Sequence, residues 1–174
     1  MGNPSLRTKR LHLRRWRDED RAAYAAICAD PDVMRYIGDG STRTPEQASR
    51  AIDQFEQDWD AQGLGLFAVE MIGTGKLIGF TGFSRPDFMP SLLPSVEIGW
   101  RFAKAQWGKG LATESANAAL AFARDLPVEE DIVSVCQCGN AASVRIMEKI
   151  GLEFDHRGID PTCAREVEVY RLPR

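Results

Sequence analysis

The sequence predicts an α+β domain in which helices pack on a single sheet, and three observations carry that expectation. Residues 96–102, Val-Glu-Ile-Gly-Trp-Arg-Phe, alternate apolar with small or charged side chains, the period of a strand. Residues 111–124 (LATESANAALAFAR) contain no glycine or proline and consist mostly of strong helix formers. Over the whole chain the signals follow the order β-α-α-β-β-β-α-β-α-β-β, without repeats, low-complexity tracts or a long linker, so the 174 residues (1–174) are expected to form one domain.

Taken in order, residues 6–16 predict a first strand. Arg7, Lys9, Arg10, Arg14, Arg15 and Arg17 form its basic outer face, against Leu6, Leu11, Leu13 and Trp16. Asp18, Glu19 and Asp20 place negative charge at the start of a helix that runs to about Ala29. Asp30-Pro31 redirects the chain into a short segment around residues 33–37, and Gly38 to Ser41 form a loop. Thr44 then reads as an N-cap with Pro45 in the first helical position, opening a helix to about Gln62 with Ala48, Ile52, Phe55 and Trp59 inward. Residues 66–72 and 77–83 form a hairpin around Gly73-Thr74-Gly75-Lys76. A proline-rich loop, 84–94, leads into the strand at 96–102. In the helix 111–124, Leu111, Ser115, Ala119 and Phe122 share a stripe, and Asp125 and Pro127 stop it. Residues 131–137, 152–157 and 166–172 read as strands and 140–150 as a helix.

Composition excludes several classes. Hydrophobic content of 44% and charged content of 27% belong to a globular domain. A net charge of −3 gives no global attraction for nucleic acid. No signal-peptide core follows Met1 and no apolar run approaches the ~18 residues of a membrane span, so a cytoplasmic location is expected. Cys28, Cys136, Cys138 and Cys163 lack CxxC spacing, and with two histidines in the chain no metal site is expected.

Between the strand at 96–102 and the helix at 111 lies Ala-Lys-Ala-Gln-Trp-Gly-Lys-Gly. Gly108 and Gly110 let the backbone turn sharply and approach a ligand. The first helical turn adds unpaired N–H groups and partial positive charge, so strand, glycine loop and helix start make a phosphate cradle. The spacing fits neither a P-loop nor a dinucleotide fingerprint. An ordinary strand-to-helix connection would use the same glycines for packing.

This stretch resembles the Q/R-x-x-G-x-G/A motif of the GNAT acetyltransferase superfamily, and Glu-Ile-Gly-Trp with Trp-Gly-Lys-Gly-Leu-Ala-Thr-Glu is close to the RimJ/RimL-like branch (ribosomal-protein-alanine N-acetyltransferases). Ala105 or Trp107, according to register, replaces the motif's first residue. A second segment, Asn140 to Leu152, resembles the family's N-x-x-S/A-x-x-x-x-e-K-x-G-F signature. The resemblance implies a GNAT-like fold: a mixed, mostly antiparallel sheet of six to seven strands, splayed between its central strands. It implies acetyl-coenzyme A as cosubstrate, held by Arg101, Phe102, Ala103, Gln106, Trp107, Gly108, Lys109, Gly110, Leu111, Ala112, Thr113, Asn140, Ser143 and Lys149. Main-chain N–H groups near Arg101 to Ala103 are assigned to the acyl carbonyl and pantetheine.

Glu97 occupies the position of a catalytic glutamate in several members and is the candidate base. An unperturbed carboxylate titrates near ~4.3, so that role requires burial or a bridging water. Met147 stands where many members carry a tyrosine that protonates the thiolate, and Ser143 matches a serine given that role in the Rim-type branch. Each residue also has an ordinary role: Glu97 on a solvated strand face, Asn140 as an N-cap, Gly151 as a left-handed cap and Lys149 opposite the helix dipole. The acceptor is a protein N-terminus or a small amine, and a homodimer is compatible with the fold. Asp30, Asp32, Asp39 and Asp87, in the loops 30–44 and 84–95, would suit a cationic acceptor. From another class, the chain would bind acyl-coenzyme A without turnover, as a sensor or interaction module.

Overall fold

The computed structural model describes residues 4–125 and 130–174; Pro127, read as part of a helix stop, lies outside the described residues. An eight-stranded sheet is ordered β1-β2-β3-β4-β5-β6-β8-β7. Its strands are β1 (Ser5–Arg7), β2 (Leu11–Arg14), β3 (Leu66–Met71), β4 (Leu77–Ser84), β5 (Val96–Phe102), β6 (Ile132–Gln137), β7 (Glu153–Asp160) and β8 (Arg165–Arg171). Every neighbouring pair is antiparallel except β5 with β6. The helices are α1 (Asp20–Cys28), α2 (Pro31–Met34), α3 (Pro45–Gln62), α4 (Leu111–Arg124) and α5 (Ala141–Lys149).

The sheet exceeds the expected six to seven strands because the single strand read at 6–16 is a hairpin. Thr8 breaks it: its hydroxyl accepts the Leu11 N–H at 2.9 Å, and its own N–H donates to the Leu11 carbonyl at 2.9 Å. The basic face expected there is also partly consumed. Arg14 is buried and grips buried Asp20 through two hydrogen bonds of 2.7 and 2.9 Å, while Arg15 pairs with Glu56 and Asp60 and Arg10 with Glu114.

Two helical layers cover the sheet. On one face α1 and α3 pack Tyr24, Ala48 and Ile52 against Leu66, Ala68 and Phe80. Thr44 caps α3 through the Gln47 N–H, and the Gln47 side chain reaches back to the Thr44 N–H. On the other face Ala116, Ala119 and Leu120 of α4 and Met147 of α5 pack against Val96 and Ile98. The α4 stripe is turned slightly from the expected one, with Ala116 and Ala123 fully inward and Phe122 half-buried beside Trp59 and Phe67.

The parallel pair positions the site. It is registered only at Val96↔Ile132 and Glu97↔Val133, after which β5 and β6 diverge. Small Ala116 and Ala119 bring α4 close beneath the strands on one side of the opening.

Candidate active site

Beside this opening is a cavity of about 710 Å³ that runs from the helix layer of α4 and α5 to the layer of α1 and α2. The glycine loop forms one end. Gly108 (φ 72°) and Gly110 (φ 74°) are left-handed, and Gly110 caps α4. Among the described residues, no N–H from Gly108 to Thr113 donates to a protein acceptor; the first bond of the helix runs from Glu114 N–H to the Gly110 carbonyl at 3.0 Å. A Cβ on Gly108 would meet nothing within 4 Å. Six consecutive donors with open space before them, at the positive end of a 14-residue helix, fit a diphosphate.

The loop is held from outside. Glu114 accepts the Thr8 hydroxyl at 2.6 Å, the Arg10 N–H at 3.0 Å and the Arg10 Nε at 2.7 Å, and Arg10 Nη1 donates to the Lys109 carbonyl at 2.9 Å. Burial alone would raise the Glu114 carboxyl, but these donors outweigh it and hold it below its ordinary value.

Along β5 the backbone alternates in direction. Odd positions face β4: Ala103 N–H donates to the Ile78 carbonyl at 2.9 Å, and the Gly99 carbonyl accepts the Thr81 hydroxyl. Even positions face the gap: the Ile98 carbonyl takes the Ser134 hydroxyl at 2.8 Å and the Phe102 carbonyl takes Trp107 Nε1 at 2.9 Å. The N–H groups of Trp100 and Phe102 therefore point into the opening, and those of Arg101 and Ala103 do not. Of the range read from the sequence, Arg101 to Ala103, Phe102 alone turns its N–H to the opening, and Trp100 joins it from outside that range.

Glu97 lies on the cavity wall, where enclosing protein pushes its carboxyl up to about 8. Burial is the main cause; the nearby Val135 N–H pulls the value down, and the Asp160 carboxylate pushes it up. Asp160 stays ionised: burial would raise it, but hydrogen bonds from Thr162 and Cys163 hold it low. Ser143 and Lys149 of α5 line the same cavity, as does Asn140, whose side chain caps the helix through the Ser143 N–H at 3.3 Å. Met147 faces the core with no exposure and does not line the cavity.

Of the residues read as cofactor contacts, Ala103 and Lys109 are not in the cavity wall. The Lys109 ammonium is taken by the Ala105 carbonyl at 2.7 Å and the Gln106 side chain at 3.2 Å. The remaining residues, Arg101 to Lys149, are brought together as walls of one space.

Residues 10–153 match the family model described as "Acetyltransferase (GNAT) domain". The chain belongs to the GNAT acetyltransferase family. It is 29% identical over 150 residues to the uncharacterized protein YkkB of Bacillus subtilis, covering 86% of this chain and 85% of that one. A putative GNAT-family acetyltransferase from Bordetella pertussis superposes with a TM-score of 0.82 at 23% identity, over 98% of this chain and 99% of that one. RimL, the ribosomal L7/L12 alpha-N-protein acetyltransferase in complex with coenzyme A, shares the fold at a TM-score of 0.78 and 12% identity, over 97% of each chain. The GNAT family uses acetyl-coenzyme A. Among the described residues no group of three His, Cys, Asp or Glu side chains could hold a metal ion, and no helix is long and apolar enough to cross a membrane.

Sequence reasoning missed Tyr36, Arg43, Trp100, Ser134 and Asp160, all in the cavity wall. For Trp100 a signal existed, since strict alternation along 96–102 fixes which N–H groups face which neighbour. Ser134 was a polar residue between Val133 and Val135 in a mostly apolar strand. Nothing local marks the other three.

Proposed function

We propose that the protein transfers an acetyl group from acetyl-coenzyme A to a primary amine, on a protein N-terminus or a small molecule, by direct attack in a ternary complex. The observation that carries this reading is the divergence of β5 from β6 after Glu97, which opens a gap between the donors of the glycine loop and a carboxyl that titrates near 8.

Acetyl-coenzyme A supplies an activated acyl group as a thioester. The N–H groups of Gly108 to Thr113 hold its diphosphate, and Arg145 and Lys149, at the α5 side of the cavity, add positive charge for a further phosphate. The Trp100 and Phe102 N–H groups orient the pantetheine and stabilise negative charge on the acyl oxygen. Glu97 accepts a proton from the attacking amine at its carboxylate, a role its raised titration suits at slightly alkaline pH. As the N–C bond forms and the C–S bond breaks, the Ser143 hydroxyl gives its proton to the leaving sulfur and is reprotonated from solvent, to which Glu97 releases the proton it took.

Direct attack, rather than a covalent enzyme intermediate, is supported by the state of the cavity's thiol. Burial pushes Cys136 up to about 12, so it stays protonated and unreactive at neutral pH. Neither His12 nor His156 lines the cavity to activate a serine.

The test is thiol release from acetyl-coenzyme A across a panel of amines, with mass analysis of the acceptor. Turnover with an acetylated product supports transfer. One observation favours a second reading: Met147, at the tyrosine position, is sealed in the core. A protein that binds acetyl-coenzyme A but acetylates no amine would be the non-catalytic module.

A further inference from the structure

The acceptor half of the cavity is lined by the guanidinium groups of Arg35, Arg43 and Arg101. Among the described residues none of them forms a direct ion pair, although Asp32 and Asp39 lie near enough to Arg35 and Arg43 to interact electrostatically. On β5 the side chains of Glu97, Gly99 and Arg101 share the face toward α1, and a Cβ on Gly99 would meet nothing within 4 Å, so open space separates the carboxyl from the guanidinium. Arg101 reaches α1, where Nη1 donates to the Tyr24 hydroxyl at 3.0 Å and the Cys28 sulfur at 3.4 Å, with its Cζ 5.3 Å from the centre of the Phe80 ring. Among the described residues, Arg101 Nε is a buried side-chain donor with no hydrogen-bond partner. A second cavity of about 360 Å³ adjoins the first, and Arg43, Arg101 and Ile37 line both.

Arg43 is half-buried at this junction, where its guanidinium donates to the Ser41 hydroxyl at 3.2 Å and lies within electrostatic reach of Asp39. Arg35, at the mouth, has its guanidinium over the Tyr36 ring. Three of the four acidic loop residues read as a site for a cationic acceptor are engaged elsewhere, and Asp87 is exposed outside the cavity wall. Asp32 pairs with Lys104, Asp39 accepts the Ser41 N–H and hydroxyl, and Asp30 caps α2. The loop carrying these groups is fixed in place, because Gln137 donates to the Gly38 carbonyl and Arg165 to the carbonyls of Arg35 and Asp39. A confined wall of guanidiniums without direct ion pairs, one of them with a buried donor lacking an acceptor, has the chemistry of an anion subsite.

We infer that the acceptor is a small amine whose other end carries a carboxylate or phosphate, bound by Arg43 and Arg101 while the amine lies at Glu97. The inference rests on the amine-acetylation reading. About 13 Å of strand separates positions 97 and 101, so the anion stands several bonds from the amine and an α-amino acid is too short.

Two arms test this independently of each other. Calorimetry of the coenzyme A-saturated protein uses 6-acetamidohexanoate, its uncharged amide and inorganic phosphate, none of which requires turnover. Wild type is expected to bind the carboxylate or phosphate at least about tenfold more tightly than the amide, and Arg43→Gln to abolish the difference. Equal binding of acid, phosphate and amide, or a preference that Arg43→Gln keeps, overturns the inference whether or not any amine is acetylated. In the kinetic arm, 6-aminohexanoate should show a KM at least about tenfold below that of 6-aminohexanamide. A lower KM for the amide, or for a diamine, overturns the anion subsite while leaving acetyl transfer standing. Absence of thiol release with every amine would instead count against the proposed function, and the binding arm would still decide the subsite.

Discussion

The Ser134 hydroxyl donates to the Ile98 carbonyl at 2.8 Å, across the line where β5 and β6 part. A continued parallel ladder would give that carbonyl the Val135 N–H instead. The register ends one residue earlier, at Glu97↔Val133, and the Val135 N–H lies beside the Glu97 carboxyl. A side-chain donor has replaced a backbone donor, which lets the strands diverge without stranding a buried carbonyl.

Ser134→Ala removes that substitute and leaves the Ile98 carbonyl short of a donor. The expected cost is about 1–3 kcal/mol, read from urea unfolding, together with weaker binding of acetyl-coenzyme A as the gap loses its brace. Unchanged stability would mean that the carbonyl finds another partner and that the serine does not hold the gap.

Glu97 gives a prediction with a defined sign. Its folded carboxyl titrates near 8, against about 4.3 in an unfolded chain. Between these values the folded state holds the extra proton, so this group's stabilising contribution falls as pH rises from about 5 to 8, by up to about 1.4 kcal/mol per unit, and levels off above. Glu97→Gln should flatten that component in denaturant titrations at pH 6 and 8. It should also lower kcat by roughly 10²-fold or more and remove a rising limb near pH 8 from kcat/KM.

Met147 and Ser143 separate two sources for the leaving-group proton. Ser143→Ala is expected to lower kcat by about tenfold or more with little change in acetyl-coenzyme A affinity. Met147→Tyr should not compensate: the position is sealed in the core, so the larger ring destabilises the fold by about 1–3 kcal/mol. A Tyr variant with restored turnover would show that α5 can rotate this position toward the gap.

The Thr8–Arg10–Glu114 clamp reaches the glycine loop from outside the cavity. Arg10→Ala should therefore raise the Kd for acetyl-coenzyme A several-fold while leaving the acceptor KM in place. Equal effects on both constants would point to general destabilisation instead.

The legible parts of this protein are those governed by local chemistry. Residues 111–124 announce their helix by composition, Thr44-Pro45 its neighbour's start, and Gly108 and Gly110 the left-handed turn. The hairpin at residues 5–14 was hidden because its strands are short and Thr8 resembles any polar strand residue until its hydroxyl closes the turn. Arg43 and Arg101 lie far apart in sequence and meet only because α1 and the loop before α3 fold over β5. The gap-facing donors were read as a range, Arg101 to Ala103, and the direction of the Ala103 N–H narrows it to Phe102 and adds Trp100.

The account stands first on the glycine loop as a phosphate cradle, and calorimetric titration with acetyl-coenzyme A tests it most directly. Wild type is expected to bind with micromolar affinity. Gly108→Glu combined with Gly110→Glu places two carboxylates and two strained left-handed residues at the donors, and should abolish binding in a protein whose circular dichroism remains that of the fold. A folded wild-type protein that does not bind, or a double variant that binds as tightly, would contradict the account.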